Sequence, residues 1–177
     1  MKKHLLYLFS AILLVFSACT KHETEELITD DAALKNAAIP LNFRAHLSGS
    51  QEVPANDSRA TGQAIFQLSK DGTELSYKVI VANIENVQMA HIHLAPAGVN
   101  GGVVAWLYPS SPPAQLIPGK SNGILAQGTI TASSLTGGLA GQPLSALIDA
   151  MKEGNAYVNV HTSQFPPGEI RGQIWGN

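Results

Sequence analysis

The stretch from Ala64 to Val81 limits the fold more than any other part of the chain. Ala64, Phe66 and Leu68 alternate with Ile65, Gln67 and Ser69. Beyond Lys70-Asp71-Gly72-Thr73 the pattern resumes, with Tyr77, Val79 and Val81 on one face of the run Glu74 to Val81. A period of two is the side-chain rhythm of a strand. Asp-Gly tolerates the positive φ of a tight hairpin turn. Two strands joined this way are antiparallel, and their apolar face needs a second layer to cover it.

The rhythm recurs along the chain. Leu41 to Leu47 places Leu41, Phe43, Ala45 and Leu47 opposite Asn42, Arg44 and His46. Further strands are predicted at Gln88 to Leu94, Val103 to Leu107, Ile124 to Thr131, Tyr157 to His161 and Glu169 to Trp175. One helix is expected over 143–152. Pro143 suits a first turn, Leu144, Leu147, Ile148 and Met151 form a stripe, and Gly154 can end it. Charged residues make up only 14% of the chain, while glycine (16) and proline (10) are plentiful. Short strands, many turns and no βαβ rhythm predict an all-β fold. The expected architecture is an antiparallel sandwich or partly closed barrel with one short helix. Gly98 to Gly102 and Ser110 to Asn122 read as loops. A net charge of −2 leaves no basic footprint, so nucleic acid is not an expected partner.

The first forty residues have a different character. Lys2 and Lys3 precede an apolar run from Leu5 to Phe16, too short for a comfortable span. Phe16-Ser17-Ala18-Cys19 then resembles a lipobox, with Phe16 in place of the usual leucine. The expectation is a lipoprotein signal peptide over 1–18, followed by lipidated Cys19 and a flexible acidic tether over 19–40. An ordinary cleaved signal with an incidental Cys19 is the alternative. Cys19 is the only cysteine, so the folded part, 41–177, has no disulfide.

Chemistry concentrates on histidine. His91 and His93 are i and i+2 in a predicted strand, so they share a face with Cα atoms about 6.5–7 Å apart. Two imidazoles rarely hold a metal alone. His161, on the face shared by Tyr157 and Asn159, is the candidate third ligand. Glu52 and Glu169 are candidate further ligands, or carboxylates that orient an imidazole by accepting its free N–H. His46 is a weaker fourth option, while His4 and His22 belong to the leader and the tether. The rival is a polar network in which the histidines bond to Glu52, Glu169 or loop carbonyls without a metal. Arg171 is expected in a structural ion pair. Ordinary imidazoles would release a metal as the pH falls below about 6. No phosphate-cradling loop and no Gly-x-Ser-x-Gly elbow occurs, and no residue is nominated as catalytic.

Five blocks carry a resemblance. They are Leu47-Ser48-Gly49-Ser50-Gln51-Glu52-Val53-Pro54, Ala60-Thr61-Gly62, Ala90-His91-Ile92-His93, Asn155 to Thr162, and Pro167-Gly168-Glu169-Ile170-Arg171-Gly172-Gln173. In this order they resemble the CHRD domain, named after chordin and found in many exported bacterial proteins. The resemblance covers about residues 41–175. It implies an immunoglobulin-like or superoxide dismutase-like all-β fold and an extracytoplasmic binding role. In such dismutases a His-x-His strand and a late histidine share a copper site, which His91, His93 and His161 match by type and order. The histidines of a bridging and zinc-binding group are missing between His93 and His161, and the dismutase disulfide has no second cysteine.

The sequence thus reads as a lipid-anchored cell-envelope protein, at the outer membrane or cell surface. Its domain would be a non-enzymatic binding module with a mononuclear copper or zinc site. Its partners would be the membrane, through Cys19, and an unidentified protein or extracellular ligand. The alternatives are a metal-dependent redox or dismutase-like enzyme and a metal-free adhesion domain.

Overall fold

The Asp71-Gly72 turn forms as its sequence requires. Gly72 has φ 74°, and the Asp71 carboxylate accepts hydrogen bonds from Ser69 and Thr73. In the computed structural model, which describes residues 41–176, this turn joins the second and third of eight strands. The expected signal peptide, Cys19 and the tether lie outside the described residues. The elements are β1 (Asn42–Ser48), β2 (Thr61–Leu68), β3 (Leu75–Leu94), β4 (Gly102–Tyr108), β5 (Ile117–Ile130), α1 (Leu144–Lys152), β6 (Ala156–Thr162), β7 (Ile170–Gln173) and β8 (Trp175–Gly176). Among the described residues no helix is long and apolar enough to cross a membrane.

All pairings are antiparallel, and five strands close a ring. β1 pairs with β2, and β2 with the first half of β3. The second half of β3 pairs with β6, β6 with β7, and β7 returns to β1 where Ser48 faces Arg171. β4 and β5 extend the sheet from β3, and β8 pairs with β1. The expected all-β fold with one helix is therefore realised as a closed barrel with additional strands. Inward-facing apolar positions of β1 to β7 form one core. Phe43, Phe66, Leu75, Ile84 and Ile92 are fully buried in it, each contributing roughly 1.5–3 kcal/mol by leaving water. Helix α1 adds Leu144, Leu147, Ile148 and Met151 to the same core.

The structure corrects three boundaries. The runs Glu74–Val81 and Gln88–Leu94 are not separate strands, because β3 is continuous through both. Its buried apolar positions are Leu75, Tyr77, Val79 and Val81, then Ile84, Val87, Ala90 and Ile92. Between Val81 and Ala90 the inward step is three residues, not two. Asn83 (φ 56°) and Asn86 (φ 53°) take the extra residue in the left-handed region, which asparagine tolerates better than most side chains. The third step is a bulge at Gln88 against β6, where Val87 faces Thr162 but Met89 already faces His161. Second, β5 begins at Ile117, so much of the expected loop Ser110–Asn122 is strand. Third, the last expected strand is broken at Ile174, and Glu169 precedes β7.

Candidate metal centre

The bulge at Gln88 sets which way the end of β3 faces. Beyond it Ala90 and Ile92 enter the core, so His91 and His93 point to the opposite side of the sheet. There they meet side chains from β6 and β7 in rows across three strands. His91 faces Asn159, which faces Arg171; His93 faces Tyr157, which faces Gln173. His161 lies opposite Met89, at the end of the same face. This polar face is covered by loops, leaving His91 3%, His93 8% and His161 6% exposed.

The three predicted imidazoles converge. One ligand-capable atom from each lies within 4.8 Å of the others. His91 Nδ1 is 3.3 Å from His161 Nε2. That matches the edge of a tetrahedron of nitrogens around zinc, about 3.3 Å for metal–nitrogen bonds near 2.05 Å. Backbone carbonyls decide the tautomers. His93 Nδ1 donates to the Gly101 carbonyl and His161 Nδ1 to the Pro166 carbonyl, both at 3.0 Å. Each ring therefore keeps its Nε2 as a bare lone pair. His161 Nε2 can then only accept, so the proton of the 3.3 Å contact sits on His91 Nδ1 and leaves His91 Nε2 bare. His91 Nε2 and His93 Nε2 are buried with no hydrogen-bond partner, an uncommon state that a bound cation or an ordered water would relieve.

Burial keeps the rings neutral. It pushes His91 down to about 3, helped by the neighbouring His161 and His93. It pushes His93 down to about 4, against the opposing Gly101 hydrogen bond. His161 is lowered by burial as well, against the Pro166 bond. Proton competition at His91 and His93 thus falls well below the pH of about 6 expected of ordinary imidazoles, and at His161 it is weakened in the same direction.

The carboxylates do not orient the histidines. Both Glu169 oxygens are taken by hydroxyls, Oε1 by Ser58 at 2.6 Å and Oε2 by Thr162 at 2.7 Å. Glu52 accepts a long 3.5 Å bond from Asn159 Nδ2, and its Oε1 is buried without a partner. Burial raises the Glu52 carboxyl to about 7, with the Arg171 charge opposing. The expected orienting role passes to the Gly101 and Pro166 carbonyls, which residue type alone could not reveal. His46 is exposed on β1 and stands apart from the cluster.

Arg171 is structural, but not through an ion pair. Its guanidinium donates to the carbonyls of Pro96 (3.2 Å) and Val99 (2.9 Å) and to Asn100 Oδ1 (3.1 Å). It also lies 3.5 Å over the Tyr157 ring, against which His93 stacks at 4.9 Å. The Tyr157 hydroxyl in turn accepts the Gly101 N–H at 3.1 Å. Arg171 thereby pins the 95–101 loop whose carbonyl fixes His93. Among the described residues the one ion pair is Asp149–Lys152, on the surface of α1.

Two neighbours of the cluster, Trp106, which the sequence reads as core or rim packing, and Met89, are not among the sequence-predicted site residues. The Trp106 ring packs edge-on against His91 with centroids 4.2 Å apart. Met89 shares the face of His91 and His93 and is half-buried. The i, i+2 spacing that paired the histidines also contained Met89, one step earlier.

No curated protein and no solved structure matches the chain. The CHRD domain family does, over residues 43–174, a span that contains the barrel strands, the three histidines and the loops that close over them. The chain belongs to the CHRD domain family.

Proposed function

We propose that this chain is a non-enzymatic, metal-holding binding module of the cell envelope. One observation carries the reading: three neutral, buried imidazoles from two strands converge, two of them with tautomers set by backbone carbonyls. His91, His93 and His161 would hold the ion; with His91 binding through Nδ1, its proton would pass to the partnerless Nε2, so that the ring stays neutral. Nitrogen donors of this kind suit copper or zinc. The ion would supply a cross-link between β3 and β6. Burial of all three rings favours retention over turnover, because a reacting ligand needs an approach to the metal. The described residues gather one such group, which supports a mononuclear site.

The leader pattern and Cys19 support export and lipid anchoring, and they favour the outer membrane or cell surface as the location. The partner would be an extracellular ligand or protein. Elemental analysis of the purified chain after reconstitution tests the metal reading. About one copper or zinc per chain, lost in His161→Ala, supports it; less than about 0.2 per chain with either metal overturns it. Mass spectrometry tests the anchor, and a mature chain beginning at an unmodified residue other than Cys19 would exclude it.

A further inference from the structure

The metal reading leaves the fourth donor unnamed, and the following inference rests on that reading. Neither candidate carboxylate joins the three imidazoles in the group of atoms within 4.8 Å. Glu169 is held by Ser58 and Thr162, and Glu52 lies against Asn159. Tyr157 is engaged by Gly101, Arg171 and His93. Met89 is differently placed. The Gln88 bulge turns it onto the face of His91 and His93, and the register sets it directly opposite His161. Directly opposed residues have Cβ atoms about 4.5–5.5 Å apart. An unbranched thioether with three rotatable bonds can reach from there toward its neighbours. Met89 is also half-buried while the imidazoles are buried, so it stands at the rim of the cluster.

We infer that Met89 supplies a thioether ligand to the ion held by His91, His93 and His161, making this a copper site selective for the cuprous ion over zinc. Thioether sulfur is a soft donor that favours Cu(I), while three imidazoles alone serve zinc equally well. The two other methionines are not rivals. Met151 is buried in the core from α1, and Met1 starts the leader.

The test compares the full chain with its Met89→Leu variant, a volume-conserving change. Both are made in a Cys19→Ser background so that no thiolate competes. Cu(I) and Zn(II) affinities are measured by competition with chromophoric chelators, and the copper neighbours by X-ray absorption. The expected result is one sulfur in the copper shell, absent from Met89→Leu. Cu(I) affinity should fall at least about tenfold, the scale on which even an outer partner's loss is felt, with Zn(II) affinity changed less than about twofold. Copper bound through nitrogen alone, or equal Cu(I) affinity in the two proteins, overturns the Met89 assignment and leaves the three-histidine site standing. Failure of the parent chain to bind either metal overturns both.

Discussion

His91 Nδ1 lies 3.3 Å from His161 Nε2, although 70 residues of chain separate them. The contact spans β3 and β6, so whatever fills it ties the two strands together. A metal that binds only the native state stabilises it by mass action, by about 2.7 kcal/mol at a hundredfold excess over its dissociation constant. Copper or zinc should therefore raise the urea midpoint of the wild-type chain and leave His161→Gln unmoved. Equal shifts in the two proteins would place the binding elsewhere.

Trp106 packs against His91 with ring centroids 4.2 Å apart, whereas Trp175 is 56% exposed on β8. Cu(II) at the histidines should quench the Trp106 emission and spare the solvent-exposed component. A fluorescence titration of wild type and Trp106→Phe checks this. Quenching that survives in Trp106→Phe with the same midpoint would contradict it.

The metal-free protein should lose stability in acid. Above about pH 6.5 the imidazoles are neutral in both folded and unfolded chains and contribute no pH dependence. As the pH falls toward 4, the unfolded chain takes up protons that buried His91 and His93 refuse, because burial holds them at about 3 and about 4. The expected slope is at most about 1.4 kcal/mol per pH unit for each ring. Glu52 acts in the opposite sense between 4.5 and about 7. One carboxyl cannot outweigh the lowered imidazoles, so the net direction is loss. Urea midpoints at pH 7.5, 6 and 5 measure it, and a flat profile would count against buried neutral histidines.

Glu52 itself predicts a second pH signature. Its native carboxyl holds a proton up to about pH 7, and the unfolded one only to 4.5. Its stabilising contribution is complete below 4.5 and is lost as the pH rises through 7. Glu52→Gln should thus be more stable than wild type at pH 8 and nearly equal at pH 4. Glu52 lines a cleft of about 270 Å³ that admits solvent, which reduces the gain to about 1–2 kcal/mol. Unfolding at the two pH values decides the matter, and a destabilised variant at pH 8 would refute the assignment.

Gly168 offers a steric prediction. Its φ is +143°, and a Cβ there would sit 2.5 Å from the Asn159 amide and 2.6 Å from Glu52 Oε1. Gly168→Ala combines backbone strain with overpacking and should cost about 2–3 kcal/mol. The urea midpoint checks it; Ser110→Ala, an exposed change in the 109–116 connection, serves as the neutral control.

The fold was legible wherever alternation was unbroken. β1 and α1 lie within a residue of their sequence expectations and β2 begins three residues before the alternation at Ala64, because Phe43, Phe66 and Leu147 repeat at the right period. The continuity of β3 was not legible, since steps of three at Asn83 and Asn86 erase a period of two. The start of β5 was hidden because Ile117 to Gly123 is largely exposed and carries glycines that usually mark turns. The histidine cluster was readable from spacing plus one late histidine. The groups that hold its rings are main-chain carbonyls at Gly101 and Pro166, and every residue type has one.

The three-residue steps in β3 have a consequence for how this sequence can vary. Side chains beyond Val81 alternate between oil and imidazole faces according to a running count. Adding or deleting a single residue between Asn83 and Met89, without a compensating bulge, would invert that count. Ala90 and Ile92 would then turn toward the loops, and His91 and His93 into the barrel. Length is thus fixed across a segment whose composition looks unremarkable, whereas the exposed residues 110–114, ahead of the Gln115 bond to the Gln88 carbonyl, carry no such count.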